Sequence, residues 1–362
     1  MTAAVGSPGG TAAPLRAAIV GCGDVSVIHA EALTALAADG LARLVAVADT
    51  DPAAAASAQA RYGVPAYASI EDLLARADVD VVHVATPHHQ HVDVSLAALA
   101  AGVHVVQEKP VAHTRGQADR LVAAAEDRAL RRRPARAGAP YPKIGVCFQN
   151  RFNASTIELR RLLDEGALGS VLGAYASVVW ARTPQYYLDK PWRGRWEEAG
   201  GGLLINQALH ALDLIAWLGG GLVGVQGRAS SRVFGDVSEC EDTAEAVFTH
   251  PNGTRTTFFA SLTAPRHRAV ELEITGTAGT AAIGPAGLVA TLGGRVVTTP
   301  ERAAPSAGRS YWGVSHEVLI RDFYARLTEP TPYWISPREA LTSLDMLTAI
   351  YDQSDLPERT TP

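Results

Sequence analysis

The sequence predicts an α/β protein in two parts: a doubly wound parallel sheet, then a second half of different texture. Three observations carry this. A strand, a glycine turn and a helix follow one another from Leu15, with Gly21-Cys22-Gly23 at the turn. Apolar strands and Ala-rich helices then alternate as far as Phe148. After Phe152 the chain turns to longer, alternating strands, with aromatic and arginine residues between them. A length of 362 residues exceeds one ordinary core, so two domains are expected. We expect a tail over 1–14, a first domain over 15–148 and a second over 149–362, the last helix (337–352) packing back on the first.

Hydrophobic residues at 47% and charged residues at 19% are the profile of a soluble globular chain. A net charge of -5 gives no basic field to hold nucleic acid or an anionic membrane. The run Arg131-Arg132-Arg133 beside Pro134 reads as an exposed, solvated loop. No stretch is long and apolar enough to cross a bilayer. The opening residues lack the charged start and apolar run of a signal peptide. Cys22, Cys147 and Cys240 stand far apart in no metal or redox spacing, so we expect free thiols and a cytoplasmic protein.

The first strand, Leu15 to Val20, runs into Gly21-Cys22-Gly23-Asp24-Val25-Ser26, and a helix follows from Val27 to Ala38. Gly21 lets the chain turn tightly. Gly23 lets the backbone approach a pyrophosphate, and the helix start offers N–H groups to it. Ser26 takes the third small position. Asp24 and Val25 complete this cradle. The next strand, Leu44 to Ala48, ends in Asp49, 26 positions after Gly23, where an acid accepts hydrogen bonds from a ribose. Asp49 could equally cap the helix that starts at Asp51-Pro52. No arginine follows to meet a 2′-phosphate, which favours NAD over NADP.

A helix over Ile70 to Ala75 precedes the strand Val79 to Val84. Thr86 and Pro87 then line the cofactor cleft, with His91 in the first turn of the next helix. The histidines from His88 to His91 have no cysteine or carboxylate at ligand spacing, so no metal is assigned. The strand Val103 to Val106 delivers Gln107-Glu108-Lys109-Pro110 to the carboxyl edge of the sheet, where ligands bind in such folds. A lysine there can hydrogen-bond a reacting oxygen or relay its proton. It could also be a solvated Glu-Lys pair; a cis bond before Pro110, uncommon even before proline, would aim the amine. A helix from Thr114 to Leu130 and a sixth strand, Ile144 to Phe148, close the half.

Gly21-Cys22-Gly23, Ala85-Thr86-Pro87 with His91, Glu108-Lys109-Pro110 and Gln149-Asn150-Arg151-Phe152 together resemble the Gfo/Idh/MocA family of NAD(P)-dependent oxidoreductases. The similarity runs from Leu15 to near residue 355. It implies a Rossmann domain followed by an α/β domain built on a large, open, mainly antiparallel sheet. It also implies cofactor contacts from Glu108 and Lys109 and a substrate-side position for Arg151.

A helix, Ser155 to Glu165, and a strand, Ser170 to Trp180, open the second half. The run from Tyr186 to Trp196 is dense in aromatic and arginine residues. Tyr187 and Arg193 there suit a sugar site, where rings pack on C–H faces and guanidinium binds oxygen, though ordinary loop packing is as natural. The Trp192-Arg193 pair resembles one that lies near the nicotinamide in the family. Leu203 to Leu218 reads as one helix, stopped by Gly219-Gly220. Asn206, His210 and Asp213 then share a face at i, i+4 and i+7. Such groups are costly to bury unless they pair or work. The resemblance implies that His210 is the proton-transferring histidine. Many relatives have an aspartate where Asn206 stands; an amide orients a hydroxyl but cannot take its proton, which leaves the task to His210 with Lys109. Strands at 223–232, 242–249, 254–263 and 269–275 follow, then a helix from Tyr311 to Arg326 whose His316 could reach substrate.

The expected activity is oxidation of a secondary hydroxyl of a sugar, cyclitol or nucleotide-sugar with NAD, or the reverse. A glycosidase working through a transient redox cycle and a non-catalytic NAD-binding regulator are the alternatives. The sheet of the second half needs cover, for which a second copy, in a homodimer or homotetramer, is expected.

Overall fold

A computed structural model describes residues 13–302 and 315–356 of the chain. Residues 1–12 of the expected tail and the first turn of the expected helix from Tyr311 lie outside the described residues. The first half runs β1 (Leu15–Val20), α1 (Ser26–Ala38), β2 (Ala42–Ala48), α2 (Pro52–Tyr62), β3 (Ala66–Tyr67), α3 (Ile70–Arg76), β4 (Val81–Val84), α4 (His91–Ala100), β5 (His104–Gln107), α5 (Arg115–Glu126) and β6 (Ile144–Val146). Its six strands are parallel, in the order β3-β2-β1-β4-β5-β6. The order reverses beside β1, and that crevice is where a doubly wound sheet takes its ligand. Every residue of β4 and β5 is buried, as helices on both faces require. α5 ends at Glu126 rather than Leu130; Asp127 leaves the helix in extended conformation, and Leu130–Arg132 form a separate 3-10 turn.

The second half runs α6 (Ala154–Asp164), β7 (Val171–Val179), α7 (Gln185–Leu188), α8 (Trp196–Ala199), α9 (Leu203–Asn206), α10 (Leu209–Leu218), β8 (Gly224–Ser230), β9 (Thr243–Thr249), β10 (Arg255–Ser261), β11 (Glu271–Gly276), β12 (Gly279–Gly284), β13 (Gly287–Leu292), β14 (Arg295–Thr299), α11 (His316–Ala325) and α12 (Pro337–Asp352). Eight strands form one open sheet in the order β14-β13-β12-β11-β7-β10-β9-β8. All pairs are antiparallel except β7 with β10. α12 starts on a Ser336 cap and a proline and lies against α5 and β6 on one side and α10 and β8 on the other. It ties the two sheets into one apolar core.

The expected single helix from Leu203 to Leu218 is two. The carbonyl of Leu203 accepts from both Gln207 N–H and Ala208 N–H, each at 2.9 Å, and the i to i−4 ladder slips there. The chain axis turns by 57° between Trp196–Asn206 and Leu209–Leu218. Glu241 fixes the start of α9: its carboxylate accepts from the N–H groups of Gly202 and Leu204, both at 2.8 Å. No single helix among the described residues is long and apolar enough to cross a membrane.

Candidate active site

A cavity of about 1000 Å³ lies between the carboxyl edge of the first sheet and the α7–α10 segment of the second half. One end is the glycine turn. Gly21 has φ +93°, and a Cβ there would lie 2.5 Å from the Ala85 carbonyl carbon, so only glycine lets β1 and β4 close up. A Cβ at Gly23 would meet nothing within 4 Å, and no side chain caps α1. This open, uncapped helix start could hold a diphosphate. Asp49, at the end of β2, accepts from Cys22 N–H at 2.7 Å and from Asp51 N–H at 2.8 Å, which sets its carboxylate on the cavity wall.

The other end gathers buried ionisable groups. Lys109 follows β5, and its peptide bond to Pro110 is cis. The Lys109 ammonium donates to the Asn206 carbonyl at 2.8 Å, an oxygen near the break between α9 and α10. Burial lowers the Lys109 pKa, Arg193 lowers it further and Glu108 opposes both. His210, in the first turn of α10, sits with Nε2 3.2 Å from the Gln149 amide nitrogen, and its Nδ1 has no partner among the described residues. Burial, aided by the Lys109 charge, pushes His210 down to about 3, so it is neutral at physiological pH. The Asn206 amide donates to Gly202 O at 3.1 Å.

Gly21, Gly23, Asp24, Val25, Asp49, Thr86, Pro87, His91, Glu108, Lys109, Trp192, Arg193, Asn206, His210 and His316 all line this one cavity. Four expected residues do not. Ser26 turns back to donate to Gly23 O at 2.6 Å, serving the turn itself. Tyr187 packs in the core against Phe234; the helical phase of α7 sends Tyr186, not Tyr187, to the cavity. Arg151 and Asp213 are buried against each other, with Nη2–Oδ1 at 2.6 Å and Nε–Oδ2 at 2.8 Å. Both Asp213 oxygens are thus taken by Arg151 rather than by His210 or the cavity; the break before α10 sets Asn206, not Asp213, off from His210. His91 touches the cavity but spends both ring nitrogens on backbone, on Pro110 O at 2.9 Å and Thr86 O at 3.0 Å.

Sequence reasoning missed His88, Gln149, Trp180, Arg182 and Gln207, which also line the cavity. Gln149 lay within a motif already singled out, and Trp180 closes a strand that was read correctly. The Arg182 guanidinium stands 5.2 Å from the Trp180 ring and 4.9 Å from Tyr186, with no carboxylate paired to it among the described residues. His88 binds Ala199 O at 2.8 Å and meets Trp192 edge-on at 4.9 Å.

Comparison with known proteins places this geometry. Residues 15–133 match the profile of the GFO/IDH/MocA oxidoreductase family, NAD-binding Rossmann fold, and residues 156–282 match the GFO/IDH/MocA C-terminal domain. The chain is 31% identical over 201 residues to inositol 2-dehydrogenase 2 of Saccharopolyspora erythraea, across 55% of this chain and 52% of that one. It is 27% identical over 214 residues to levoglucosan dehydrogenase of Pseudarthrobacter phenanthrenivorans, across 57% and 51%. Its alignments with curated relatives span from about half to about two thirds of their length. The WlbA dehydrogenase of Bordetella pertussis, solved with NADH and UDP-GlcNAcA, superposes with a TM-score of 0.79 at 28% identity, over 94% of this chain and 96% of that one.

Proposed function

Because the chain belongs to the Gfo/Idh/MocA family of oxidoreductases, we propose that it is a nicotinamide-dependent dehydrogenase acting on a secondary hydroxyl of a sugar, cyclitol or nucleotide-linked sugar, or on the ketone in reverse. The observation that carries this is the joining of Lys109, His210 and the Gly21–Gly23 cradle in one cavity. The cradle, the bare α1 start and Asp49 fit a dinucleotide, and Asp49-Thr50-Asp51 without an arginine fits NAD better than NADP. Bound there, the cofactor would supply the hydride acceptor.

The chain supplies the rest. Lys109, anchored on the Asn206 carbonyl, has further N–H groups for the alcohol oxygen and stabilises the charge that grows on it. Neutral His210 accepts the hydroxyl proton. Asn206 and Gln149 stand beside it as amides that orient hydroxyl groups. Trp180, Tyr186, Arg182 and Arg193 suit a substrate rich in oxygen atoms: rings for its C–H faces, guanidinium for hydroxyl, carboxylate or phosphate. The WlbA complex and the inositol 2-dehydrogenase support this range of substrates. A second copy covering the open face of the eight-stranded sheet is part of the proposal, because Tyr175, Phe259 and Val289 are exposed on its strands. Free Cys22, Cys147 and Cys240 fit a cytoplasmic setting.

The test is an absorbance screen at the NADH band with free sugars, inositols, amino-cyclitols and nucleotide-sugars. The proposal expects NADH to form with at least one of them. Release of a free sugar from a glycoside with no net NADH would replace it with the redox-cycle glycosidase. Tight NAD binding with no turnover across the panel would replace it with a regulatory protein.

A further inference from the structure

Behind the cavity wall lies a line of buried groups that the reaction above does not use. Tyr324 OH is 2.9 Å from His83 Nε2, and His83 Nδ1 is 2.9 Å from His29 Nδ1. His29 Nε2 is 3.1 Å from Glu108 Oε1, and His316 Nε2 meets the same oxygen at 3.1 Å. All five side chains are buried. Their hydrogens can be assigned. Burial disfavours charge on Glu108, but the hydrogen bonds from His29 and His316 outweigh it and hold the carboxyl well below the usual range. An ionised carboxylate only accepts, so both imidazoles present Nε2–H to it. If His29 carries only that one proton, it accepts at Nδ1, and His83 donates from its own Nδ1. His83 is left to accept from Tyr324 at Nε2. Each donor finds one acceptor, and the line has one direction.

The consequence falls on His316. With its proton fixed at Nε2, its Nδ1 is bare. That atom has no partner among the described residues, while the residue is only 3% exposed and lines the cavity beside Lys109 and His210. An imidazole seated on a carboxylate, with its other nitrogen buried and unpartnered in the wall of a reaction site, is the arrangement that makes histidine a base. His210 has no carboxylate within hydrogen-bond reach among the described residues: its ring meets the Gln149 amide, and burial and the Lys109 ammonium outweigh the more distant Glu108 carboxylate. We propose that His316 is a second catalytic base of this site, with Glu108, His29 and His83 as positioning residues that keep its Nδ1 free. The proposal rests on the dehydrogenase reading. Where His316 rather than His210 takes the proton, the alcohol O–H bond breaks and the proton forms an N–H bond at His316 Nδ1. The O–H electron pair becomes the second C–O bond, and hydride leaves the carbon with the C–H pair for the cofactor. The imidazolium formed pairs with the Glu108 carboxylate 3.1 Å away, whereas one at His210 would face an ammonium.

Two measurements test it. The first needs no substrate: nitrogen NMR of ¹⁵N-histidine-labelled full-length protein, with the His316 signals assigned by their loss in His316→Gln. The expected spectrum has Nε2 protonated and Nδ1 bare at neutral pH, with an Nδ1-protonated form appearing in Glu108→Gln. A protonated Nδ1 in the wild type, or a tautomer indifferent to Glu108→Gln, overturns the proposal. So does stoichiometric zinc in the purified protein that Glu108→Gln lacks, because His29, Glu108 and Cys147 place three ligand atoms within 4.8 Å of one another. The second uses whichever compound gives NADH in the screen above. His316→Gln should lower kcat about 100-fold or more with little change in KM, and added imidazole should restore turnover to His316→Gly. Turnover in His316→Gln within about threefold of wild type overturns the catalytic role. If no compound yields NADH, the dehydrogenase reading fails while the His316 tautomer still decides whether the dyad exists.

Discussion

Replacing Asp213 with alanine separates a structural residue from a catalytic one. Asp213 and Arg151 bury their side chains to 3% and 2% exposure and meet through two parallel hydrogen bonds. Removing one member of such a pair strands the other charge, at a cost of about 3–5 kcal/mol. Glu339 still meets Arg151 Nη1 at 2.9 Å, but it is 42% exposed and water screens its charge. The loss should therefore fall at the lower end of that range, about 3 kcal/mol. The Arg151 guanidinium stands 5.2 Å from the Trp217 ring and 5.6 Å from Trp334, so tryptophan fluorescence reports the local change during urea unfolding. The double variant Asp213→Leu/Arg151→Met should recover much of the loss, since no charge is then left buried. Below its unfolding midpoint, Asp213→Ala should bind NAD and turn over at close to the wild-type rate. A variant that unfolds within about 1 kcal/mol of wild type yet has lost turnover would refute this reasoning and return Asp213 to the reaction.

Three further outcomes are expected of the same fold. Gly21→Ala should weaken NADH binding at least about tenfold in a fluorescence titration, because its Cβ would press on the Ala85–Thr86 backbone; unchanged affinity would mean the turn is not the cradle. Burial pushes the Glu241 carboxyl up to about 7, so the unfolded chain ionises first as pH rises and stability should fall between about pH 4.5 and 7, by roughly 3 kcal/mol in all. Urea midpoints of Glu241→Gln should lack that slope, and an identical slope in both proteins would remove Glu241 as its source. Phe259→Glu, on the open sheet face where the wild-type ring is 40% exposed, should convert an oligomer to monomer in sedimentation velocity without loss of fold. A monomeric wild type would contradict the proposed self-association.

The first half was legible because its signals are local. Short, mostly apolar runs such as Val81–Val84, bounded by turn residues, read as strands covered on both faces, and Gly21, Asp49 and Lys109 each stand just past the end of such a strand. The second half was read less fully. Strands β12 to β14 went unseen because their short Ala-, Gly- and Thr-rich segments carry little periodicity, although Gly293-Gly294, both at positive φ, is a hairpin signal. What stayed hidden depends on partners remote in sequence. Asp213 meets an arginine 62 positions away, and the start of α9 is held by Glu241, 37 positions beyond Leu204. The slip after Asn206 leaves no mark in an otherwise helical stretch, yet it sets Asn206 off from His210 and Asp213 and places the carbonyl that anchors Lys109. His29, His83 and His316 are single histidines in three distant segments, and only the folded chain gathers them on Glu108.

The central claim is that an amine from the first sheet and an imidazole from α10 act on one alcohol. Turnover and cofactor affinity measured side by side in Lys109→Ala and His210→Asn test it most directly. The account predicts that kcat falls about 100-fold or more in each, while NAD binding stays within about threefold of wild type. Near-normal turnover in either variant, or loss of NAD binding that accounts for the whole defect, would contradict it.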